Sequence, residues 1–99
     1  MRNASYQNTF EKISRRTLVI LEKMRYKIIS SNSEIIHAQR DGGLFSQTIS
    51  LEIIIRNIDE NCTQISVKAT TKENLIFTTT KNKDTKAEDE FIEMLTSYM

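Results

Sequence analysis

The chain has 99 residues, of which 38% are hydrophobic and 27% charged, with 14 basic residues against 13 acidic ones. This length supports one domain with one modest core and is too short for two. The net charge of +1 argues against a protein built to wrap nucleic acid. No apolar run approaches the roughly 20 residues that a membrane span needs. We therefore expect residues 1–99 to form one soluble domain.

The N-terminus and the cysteine content bear on the compartment. Met1 to Ser5 are not followed by an uninterrupted apolar segment, so the sequence predicts no signal peptide. The single Cys62 cannot form an internal disulfide, which favours a reducing compartment. We expect a cytoplasmic protein, or a periplasmic one if a leader has been trimmed.

Apolar residues at helical spacing predict a first helix with one face against a core. Ser5 is the expected N-cap, and the helix is expected to end near Arg25 or Tyr26. The predicted stripe consists of Tyr6, Phe10, Ile13, Thr17, Ile20, Leu21 and Met24.

The first strand is predicted from Lys27 to Arg40, with a bend or bulge at residues 30–33, where four small polar residues stand in a row. Asp41-Gly42-Gly43 then predicts a two-residue hairpin loop, either Asp-Gly or Gly-Gly, because both central residues can take positive φ. Either loop places Ile36 on the buried face and His37 in solvent, whereas a three-residue loop would reverse this assignment.

The clearest alternation runs from Phe45 to Ile58. From Ser46 to Arg56 its even positions are polar except Ile54, so it predicts a strand with one buried face and one face in water. The apolar positions are Phe45, Ile49, Leu51, Ile53 and Ile55.

Asp59-Glu60-Asn61 predicts a three-residue loop with Asn61 in the left-handed region. The resulting register pairs apolar residues of two strands: Ile55 with Ile65, Ile53 with Val67, and Leu51 with Ala69. A shift of one residue would bury Glu52 and Lys68 instead. Turn chemistry and hydrophobic pattern therefore predict the same pairing.

Residues 72–74 are expected to end the third strand, and residues 75–80 suit either a short edge strand or an ordered loop. Thr85 to Glu88 matches a capping box, which predicts a second helix from Thr85 to about the terminus. Its buried stripe is predicted to be Ala87, Phe91, Met94, Leu95 and Tyr98, with Glu88, Glu90 and Glu93 facing outward.

The predicted order is helix, three or four antiparallel strands, helix (α-β-β-β-(β)-α). Because the sheet has one apolar face, both helices are expected on that face. The predicted fold is a two-layer α+β sandwich.

The sequence offers no catalytic set. His37 and Cys62 are the only residues of their kinds, and the predicted register separates them by roughly 33 Å. Hydrogen-bond reach is about 3 Å. No group of ligands converges on a metal site, and Gly42-Gly43 lacks the spaced glycines, the lysine and the helix of a phosphate-binding loop. We expect no enzyme activity, metal or cofactor.

Two surfaces remain as candidates for binding. A basic strip on the first helix (Lys12, Arg15, Arg16 and Lys23) is interspersed with glutamates and has no exposed aromatics, which favours a solvated helix face. The even face of the sheet is the better candidate. Its expected members are Ser46, Thr48, Ser50, Glu52, Arg56, Gln64, Ser66, Lys68 and Thr70, with Ile54 and Ile35.

Within that face, the predicted partner surface is Ile54, Arg56, Glu52, Lys68 and Ser66. Edge strands offer a second route, since unpaired backbone groups can recruit a strand from a partner or from another copy.

Several segments carry a resemblance to a known type of domain. They are Tyr6 to Phe10, Leu21 to Ile28, Ile35 to Ala38 and Ile49 to Ile53. The chain resembles a widespread bacterial family of unknown function whose members are small helix–three strands–helix modules similar to the helix-grip domains of the outer-membrane assembly lipoprotein BamC. The family's usual junction is Leu-Gly-Tyr-x-Ile, whereas this chain has Met24-Arg25-Tyr26-Lys27-Ile28 and lacks the glycine. The resemblance implies bacterial origin and an accessory, noncatalytic role.

The leading hypothesis is therefore a noncatalytic module that binds another protein or a second copy of itself, without nucleic acid. The alternative is a binder of a small apolar ligand held between the helices and the sheet. That alternative rests on Met24, Met94, Phe77 and Phe91, because methionine fills adaptable spaces.

Overall fold

A computed structural model describes residues 1–32, 34–41, 48–72 and 81–98 of the chain, with the side chains of residues 41, 71–72 and 81–85 left undescribed. The elements are β1 (Arg2–Tyr6), α1 (Phe10–Lys23), β2 (Lys27–Ser31), β3 (Ile35–Asp41), β4 (Thr48–Asp59), β5 (Cys62–Lys72) and α2 (Lys81–Ser97). Within the described ranges, five antiparallel strands form a sheet in the order β1-β5-β4-β3-β2.

Both helices pack on the same face of this sheet, which confirms the predicted two-layer α+β sandwich. Residues with at most 1% of their surface exposed come from every layer: Ile13, Ile20 and Leu21 of α1, Leu51, Ile53 and Ile55 of β4, Ile65 and Val67 of β5, and Phe91 and Leu95 of α2. Burying each of these side chains stabilises the fold by about 1.5–3 kcal/mol. The core therefore lies between the helices and the odd-numbered side of β4.

The chain begins with a strand, so the prediction that Ser5 caps the first helix is wrong. Ser5 and Tyr6 belong to β1, where Tyr6 lies opposite Thr63. Thr9 caps α1 instead, and its Oγ1 accepts a hydrogen bond from the Lys12 amide at 3.3 Å. Ala4 and Tyr6 both pack against the core. Ala4 and Tyr6 are the only two apolar residues of this short strand. Two residues are too few to predict a strand by alternation, and Tyr6 also fits the helical spacing of the residues that follow.

The remainder of the predicted α1 stripe is confirmed, since Ile13, Thr17, Ile20 and Leu21 are buried. Leu18 and Val19, on its other faces, are 37% and 47% exposed. Thr17 is tolerated in the core because its Oγ1 donates to the carbonyl of Ile13 at 2.8 Å.

The end of α1 is a Schellman motif built on an arginine. The Tyr26 amide donates to the Leu21 carbonyl at 2.8 Å, and the Arg25 amide donates to the Glu22 carbonyl at 3.0 Å. Arg25 has φ of 65°, in the left-handed region that glycine adopts at least cost. The position where the resembling family has glycine is therefore one where the backbone favours glycine.

Residues 27–41 form two strands rather than the single strand predicted from Lys27 to Arg40. The chain reverses between Ser31 and Ile35, where the Asn32 side chain accepts hydrogen bonds from the Glu34 and Ile35 amides at 2.9 and 2.7 Å. The resulting β2–β3 hairpin also has a bulge, between Ile28 and Ser30. The five-stranded sheet thus has one strand more from this division and one more from β1 than the three strands predicted between Lys27 and Lys72.

The β3–β4 register keeps the predicted faces but not the predicted loop. Asp41 lies opposite Thr48, which excludes a two-residue loop at residues 41–43. The offset from the expected register is an even number of residues, so Ile36 remains on the buried face and His37 on the exposed one. His37 lies opposite Glu52, where a two-residue loop would have placed it near Thr48. Residues 42–47 lie outside the described ranges.

The β4–β5 register is as predicted in all three apolar pairs: Ile55 with Ile65, Ile53 with Val67, and Leu51 with Ala69. The predicted three-residue loop is wrong, because Asp59 itself pairs with Cys62 after a register shift that starts at Asn57, which leaves only Glu60 and Asn61 between the strands. Among described non-glycine residues only Arg25 has positive φ. Asn61 is therefore not left-handed; its amide donates to Asp59 Oδ1 at 2.9 Å and closes the turn.

The second helix starts at Lys81, so the capping box predicted at Thr85 is wrong. Residues 81–84 contain neither proline nor glycine to stop the helix from extending upstream. The predicted strand or loop at residues 75–80 lies outside the described ranges. No helix in the described part of the chain is long and apolar enough to cross a membrane.

Within α2, Ala87, Phe91 and Leu95 are buried as predicted, whereas Met94 and Tyr98 are 37% and 41% exposed. Their places in the core are taken by Ile92 and, against the prediction, by Glu88. Glu88 Oε2 accepts a hydrogen bond from the Ala69 amide at 2.9 Å, and its Oε1 lies 3.5 Å from the Met1 ammonium. The carboxylate turns inward because it accepts the hydrogen bond of the Ala69 amide, which lies beyond the first residue of β1 and has no partner in that strand.

Candidate protein-binding surface

The side of the sheet opposite the helices carries the predicted partner surface. The helix-free face, as named here, consists of Lys27, Ile29 and Ser30 of β2, Ile35, His37 and Gln39 of β3, Thr48, Ser50, Glu52, Ile54 and Arg56 of β4, Gln64, Ser66, Lys68 and Thr70 of β5, and Asn3 and Ser5 of β1. Strand alternation puts these side chains together because their cross-strand partners share the same face. Ser46, predicted for this face, lies outside the described ranges.

The five predicted partner residues lie together on two neighbouring strands. Glu52 lies opposite Lys68, and Ile54 lies opposite Ser66. Arg56 lies two positions beyond Ile54 on the same strand and is exposed. The register thus brings the predicted set into one continuous patch, whose role in binding stays a prediction.

An isoleucine pair lies at the centre of this patch. Ile54 of β4 and Ile35 of β3 are direct cross-strand partners, and both are half-buried. Side chains in such pairs have Cβ atoms about 4.5–5.5 Å apart, so the two form one apolar contact area. The strand pattern gave Ile54 as its single exception to alternation, and the structure shows that it has an apolar neighbour.

A depression of about 390 Å³ opens on the same face next to this pair. The lining side chains of the helix-free face are Ile29, Ser30, His37, Gln39, Ser50, Glu52, Lys68 and Thr70. Ile29 was not predicted here. The bulge in β2 sets Ile29 and Ser30 side by side, so an isoleucine that is 58% exposed lines the depression. Two adjacent isoleucines, Ile28 and Ile29, must point to opposite faces of a regular strand, and this pair was the feature of the sequence that could have indicated an exposed isoleucine here.

A row of ionisable side chains crosses the centre of the depression. His37 of β3, Glu52 of β4 and Lys68 of β5 lie opposite one another in register. Glu52 thus has a lysine as its cross-strand partner on one side and a histidine on the other. This arrangement can bind polar groups by charge and hydrogen bonds.

His37 and Cys62, the candidate nucleophilic pair, do not come together at this row. His37 lies opposite Glu52 and Cys62 opposite Asp59, which places them seven positions apart along β4, or roughly 23 Å. Among the described residues, no three His, Cys, Asp or Glu side chains come close enough together to hold a metal ion.

The basic strip of α1 is largely used in packing against the end of α2. Arg16 Nη1 donates to the Tyr98 carbonyl, and Lys23 Nζ donates to the Tyr98 hydroxyl at 2.7 Å while lying 4.5 Å from the ring centroid. Arg15 lies 3.6 Å from the Glu11 carboxylate on the exposed side of the helix. These contacts fit a structural helix face better than a binding strip.

The region between the helices and the sheet bears on the alternative hypothesis of an apolar ligand. Phe91 is fully buried, but Met94 is 37% exposed and Met24 only partly buried. Phe77 lies outside the described ranges. Met24 and Met94 therefore lie at the margin of the core. The space between the helices and the sheet, where an apolar ligand was hypothesised, is filled by isoleucine, leucine and phenylalanine.

A second depression, of about 510 Å³, lies at the end of the sheet near the start of α1. Its lining residues are Phe10, Glu34, Ile55, Arg56, Asn57 and Ile58. It adjoins the helix-free face through Arg56.

One buried polar group belongs to the helix-covered side. The Tyr26 hydroxyl is buried and has no hydrogen-bond partner in the described part of the chain. Burial raises the pKa of Tyr26 above its ordinary value, and Glu90 acts in the same direction, while the Arg40 guanidinium, 4.7 Å from the ring centroid, opposes the rise. Arg40 also donates to the Met24 carbonyl at 3.3 Å, so this cluster fixes the junction between α1 and β2.

Comparison with known proteins gives a fold but no family. No protein-family model matches the chain, and no curated protein matches it. Among solved structures, the chain is similar to one in the crystal structure of the adenylate sensor from AMP-activated protein kinase in complex with 5-aminoimidazole-4-carboxamide 1-β-D-ribofuranotide (ZMP). The TM-score is 0.69 at 11% identity, over 95% of this chain and 94% of that chain. At this identity the likeness shows a shared fold and nothing about function.

Proposed function

We propose that this chain is a noncatalytic protein-interaction module that binds its partner through the helix-free face of the sheet. The observation that carries the proposal is the cross-strand pair Ile35–Ile54 beside an open depression on that face. An apolar centre with a polar rim is the usual arrangement of a protein-binding patch. The accessory role implied by the resemblance to bacterial helix-grip domains is part of the same proposal.

The face is a better candidate than the sheet edges. At one edge β2 is five residues long, contains a bulge and begins with Lys27. Short length, bulges and lysine are features that discourage strand addition. At the other edge, β1 is also only five residues long, and beyond its first residue the Glu88 carboxylate accepts the hydrogen bond of the Ala69 amide. Backbone groups at both edges are therefore less available than the side chains of the open face.

The experiment compares three forms of the full chain: wild type, Ile54→Asp and Val19→Asp. Val19 lies on α1, is 47% exposed, and serves as a matched surface control on the helix side. Ile54→Thr is added because threonine keeps strand propensity while removing apolar area. Light scattering after size exclusion over a dilution series reports self-association, and capture from a lysate of the source cell reports other partners.

We expect wild type and Val19→Asp to behave alike, whether as a dimer or in capture of the same protein. Ile54→Asp is expected to lose the complex, and Ile54→Thr to weaken it. Circular dichroism of each variant verifies that the fold is retained. A strictly monomeric wild type that captures nothing contradicts the proposal, as does a folded Ile54→Asp that binds as wild type does.

A further inference from the structure

We propose that the occupant of the helix-free face is an acidic amphipathic segment of a partner protein, with apolar side chains on the isoleucines and carboxylates at Lys27 and Arg56. This inference rests on the proposed function and specifies its partner. It follows from how charge and apolar area are distributed over the face.

The helix-free face carries more basic than acidic side chains. Among its described side chains, three carry a positive charge (Lys27, Arg56 and Lys68) and one a negative charge (Glu52). Asp59, the last residue of β4, lies opposite Cys62 at the end of this face. The other acidic side chains that the structure describes are on α1, on α2 and in turns: Glu11, Glu22, Glu34, Glu60, Glu88, Asp89, Glu90 and Glu93. A chain with a net charge of only +1 thus presents a positive face and attracts negatively charged partners to it.

The cross-strand neighbours show which cations are available. Lys68 lies opposite Glu52, so it has an acidic residue as its cross-strand partner. Lys27 lies opposite Gln39, and Arg56 lies opposite Gln64, so neither has an acidic residue as its cross-strand partner. Lys27 and Arg56 are therefore the two cations of the face without an acidic cross-strand partner, and Glu34 lines the same depression as Arg56.

The apolar residues lie between these two cations. Ile29 is on β2 next to Lys27, and the pair Ile35–Ile54 is on β3 and β4 next to Arg56. From strand spacing and rise, Lys27 and Arg56 are roughly 22 Å apart at the backbone. A helix of about 15 residues spans that distance at 1.5 Å per residue. An occupant with apolar residues in its middle and carboxylates near both ends matches the face.

The test measures fluorescence anisotropy of labelled peptides titrated with the full chain. The first probe is an 18-residue amphipathic helical peptide with a leucine stripe and glutamates at both ends. The second replaces every glutamate with lysine, and a third arm uses vesicles of phosphatidylserine and phosphatidylcholine. The variants are Lys27→Glu/Arg56→Glu on the face, Glu52→Gln on the face, and Lys12→Glu on exposed α1 as a control for charge reversal away from the face.

We expect the glutamate peptide to bind roughly tenfold more tightly than the lysine peptide, with an affinity that falls as salt rises. The double charge reversal should weaken it about tenfold or more, whereas Lys12→Glu should leave it within about twofold. Glu52→Gln should tighten it, because it removes the carboxylate of the face.

Equal binding of the two peptides, binding of neither, or binding of the anionic vesicles alone overturns the inference. Capture from lysate separates this failure from that of the proposed function. A cellular partner lost by Ile54→Asp but kept by Lys27→Glu/Arg56→Glu contradicts the acidic partner alone. A partner kept by Ile54→Asp contradicts the use of this face at all.

Discussion

Ile53 and Ile54 are identical residues side by side on β4, yet they have opposite environments. Ile53 has 0% of its surface exposed, under both helices, whereas Ile54 is half-buried on the open face beside Ile35. The difference comes from which side of the sheet the helices cover, since the two positions share their backbone conformation and side-chain chemistry. One side of β4 stabilises the fold, and the other is available for binding.

The two faces also treat polar groups differently. On the covered side, the polar residues Thr17 and Glu88 are buried, and each makes a hydrogen bond with the backbone. On the open side, Glu52 and Lys68 lie opposite each other with access to solvent. Substitutions on the covered face should therefore change stability, and those on the open face should change binding.

The largest expected effect separates the two isoleucines. Ile53→Ala should lower the free energy of unfolding by about 2–4 kcal/mol, because it leaves a cavity in a closely packed core. Ile54→Ala should cost less than about 1 kcal/mol, because solvent and neighbours can fill the space. Urea unfolding followed by circular dichroism measures both. Equal losses of free energy of unfolding in the two variants would contradict the assignment of Ile53 to the core and Ile54 to the open face.

The second effect concerns the buried carboxylate of the covered side. Glu88→Ala should lower the free energy of unfolding by about 1–3 kcal/mol, because the Ala69 amide loses its acceptor. Glu93→Ala, an exposed position of the same helix, is the control and should stay within about 0.5 kcal/mol. Thermal unfolding of the pair gives the comparison. A Glu88 variant as stable as the Glu93 variant would show that this hydrogen bond contributes nothing.

A smaller effect lies at the junction between the helix layer and the sheet. Arg25→Gly should raise the free energy of unfolding by about 0.5–1 kcal/mol, because glycine adopts positive φ without a Cβ clash. Glu22→Gly, in the last turn of α1, should lower it by about 1 kcal/mol, since φ is ordinary there. Denaturant midpoints report the opposite signs. A loss of stability in Arg25→Gly would mean that the side chain outweighs its backbone strain.

The smallest effect at neutral pH concerns Tyr26. Tyr26→Phe should change the free energy of unfolding at pH 7 by no more than about 1 kcal/mol, because the hydroxyl has no partner in the described part of the chain. The effect of Tyr26 on the free energy of unfolding should appear at alkaline pH. The folded state holds the phenolic proton above the ordinary pKa of 10.0, whereas the unfolded chain releases it there.

The contribution of Tyr26 is therefore full below pH 10.0 and is lost as the pH rises through the folded-state value. Wild type should lose stability above that pH more steeply than Tyr26→Phe. Urea unfolding of both proteins from pH 8 to pH 11 measures the difference. Parallel curves would show that this phenol is not perturbed by folding.

The sequence predicts the fold where residues repeat at a clear period. Alternation in β4 and β5 predicts the β4–β5 register although the predicted three-residue loop is wrong, because a shift would bury charged side chains. The buried face of α1 follows in the same way from a long 3.6-residue period. Short elements carry too few periods, which is why β1 and the reversal between β2 and β3 are not predicted.

The candidate site is predictable in part for the same reason. Glu52, Ile54 and Arg56 follow from alternation along one strand, and Lys68 and Ser66 follow from the register. Ile29 does not follow, because a bulge interrupts the alternation that would assign its face. The inward turn of Glu88 also escapes pattern reasoning, since its cause is a single amide at a strand edge.

The most direct test of the two-face account is photo-crosslinking in the source cell. A benzophenone amino acid replaces Ser66, beside Ile54 on the helix-free face, or Leu18, which is 37% exposed on α1. The account predicts a discrete crosslinked protein from position 66 and none from position 18. A crosslink from position 18 and none from position 66 would place the binding surface on the helices and contradict it.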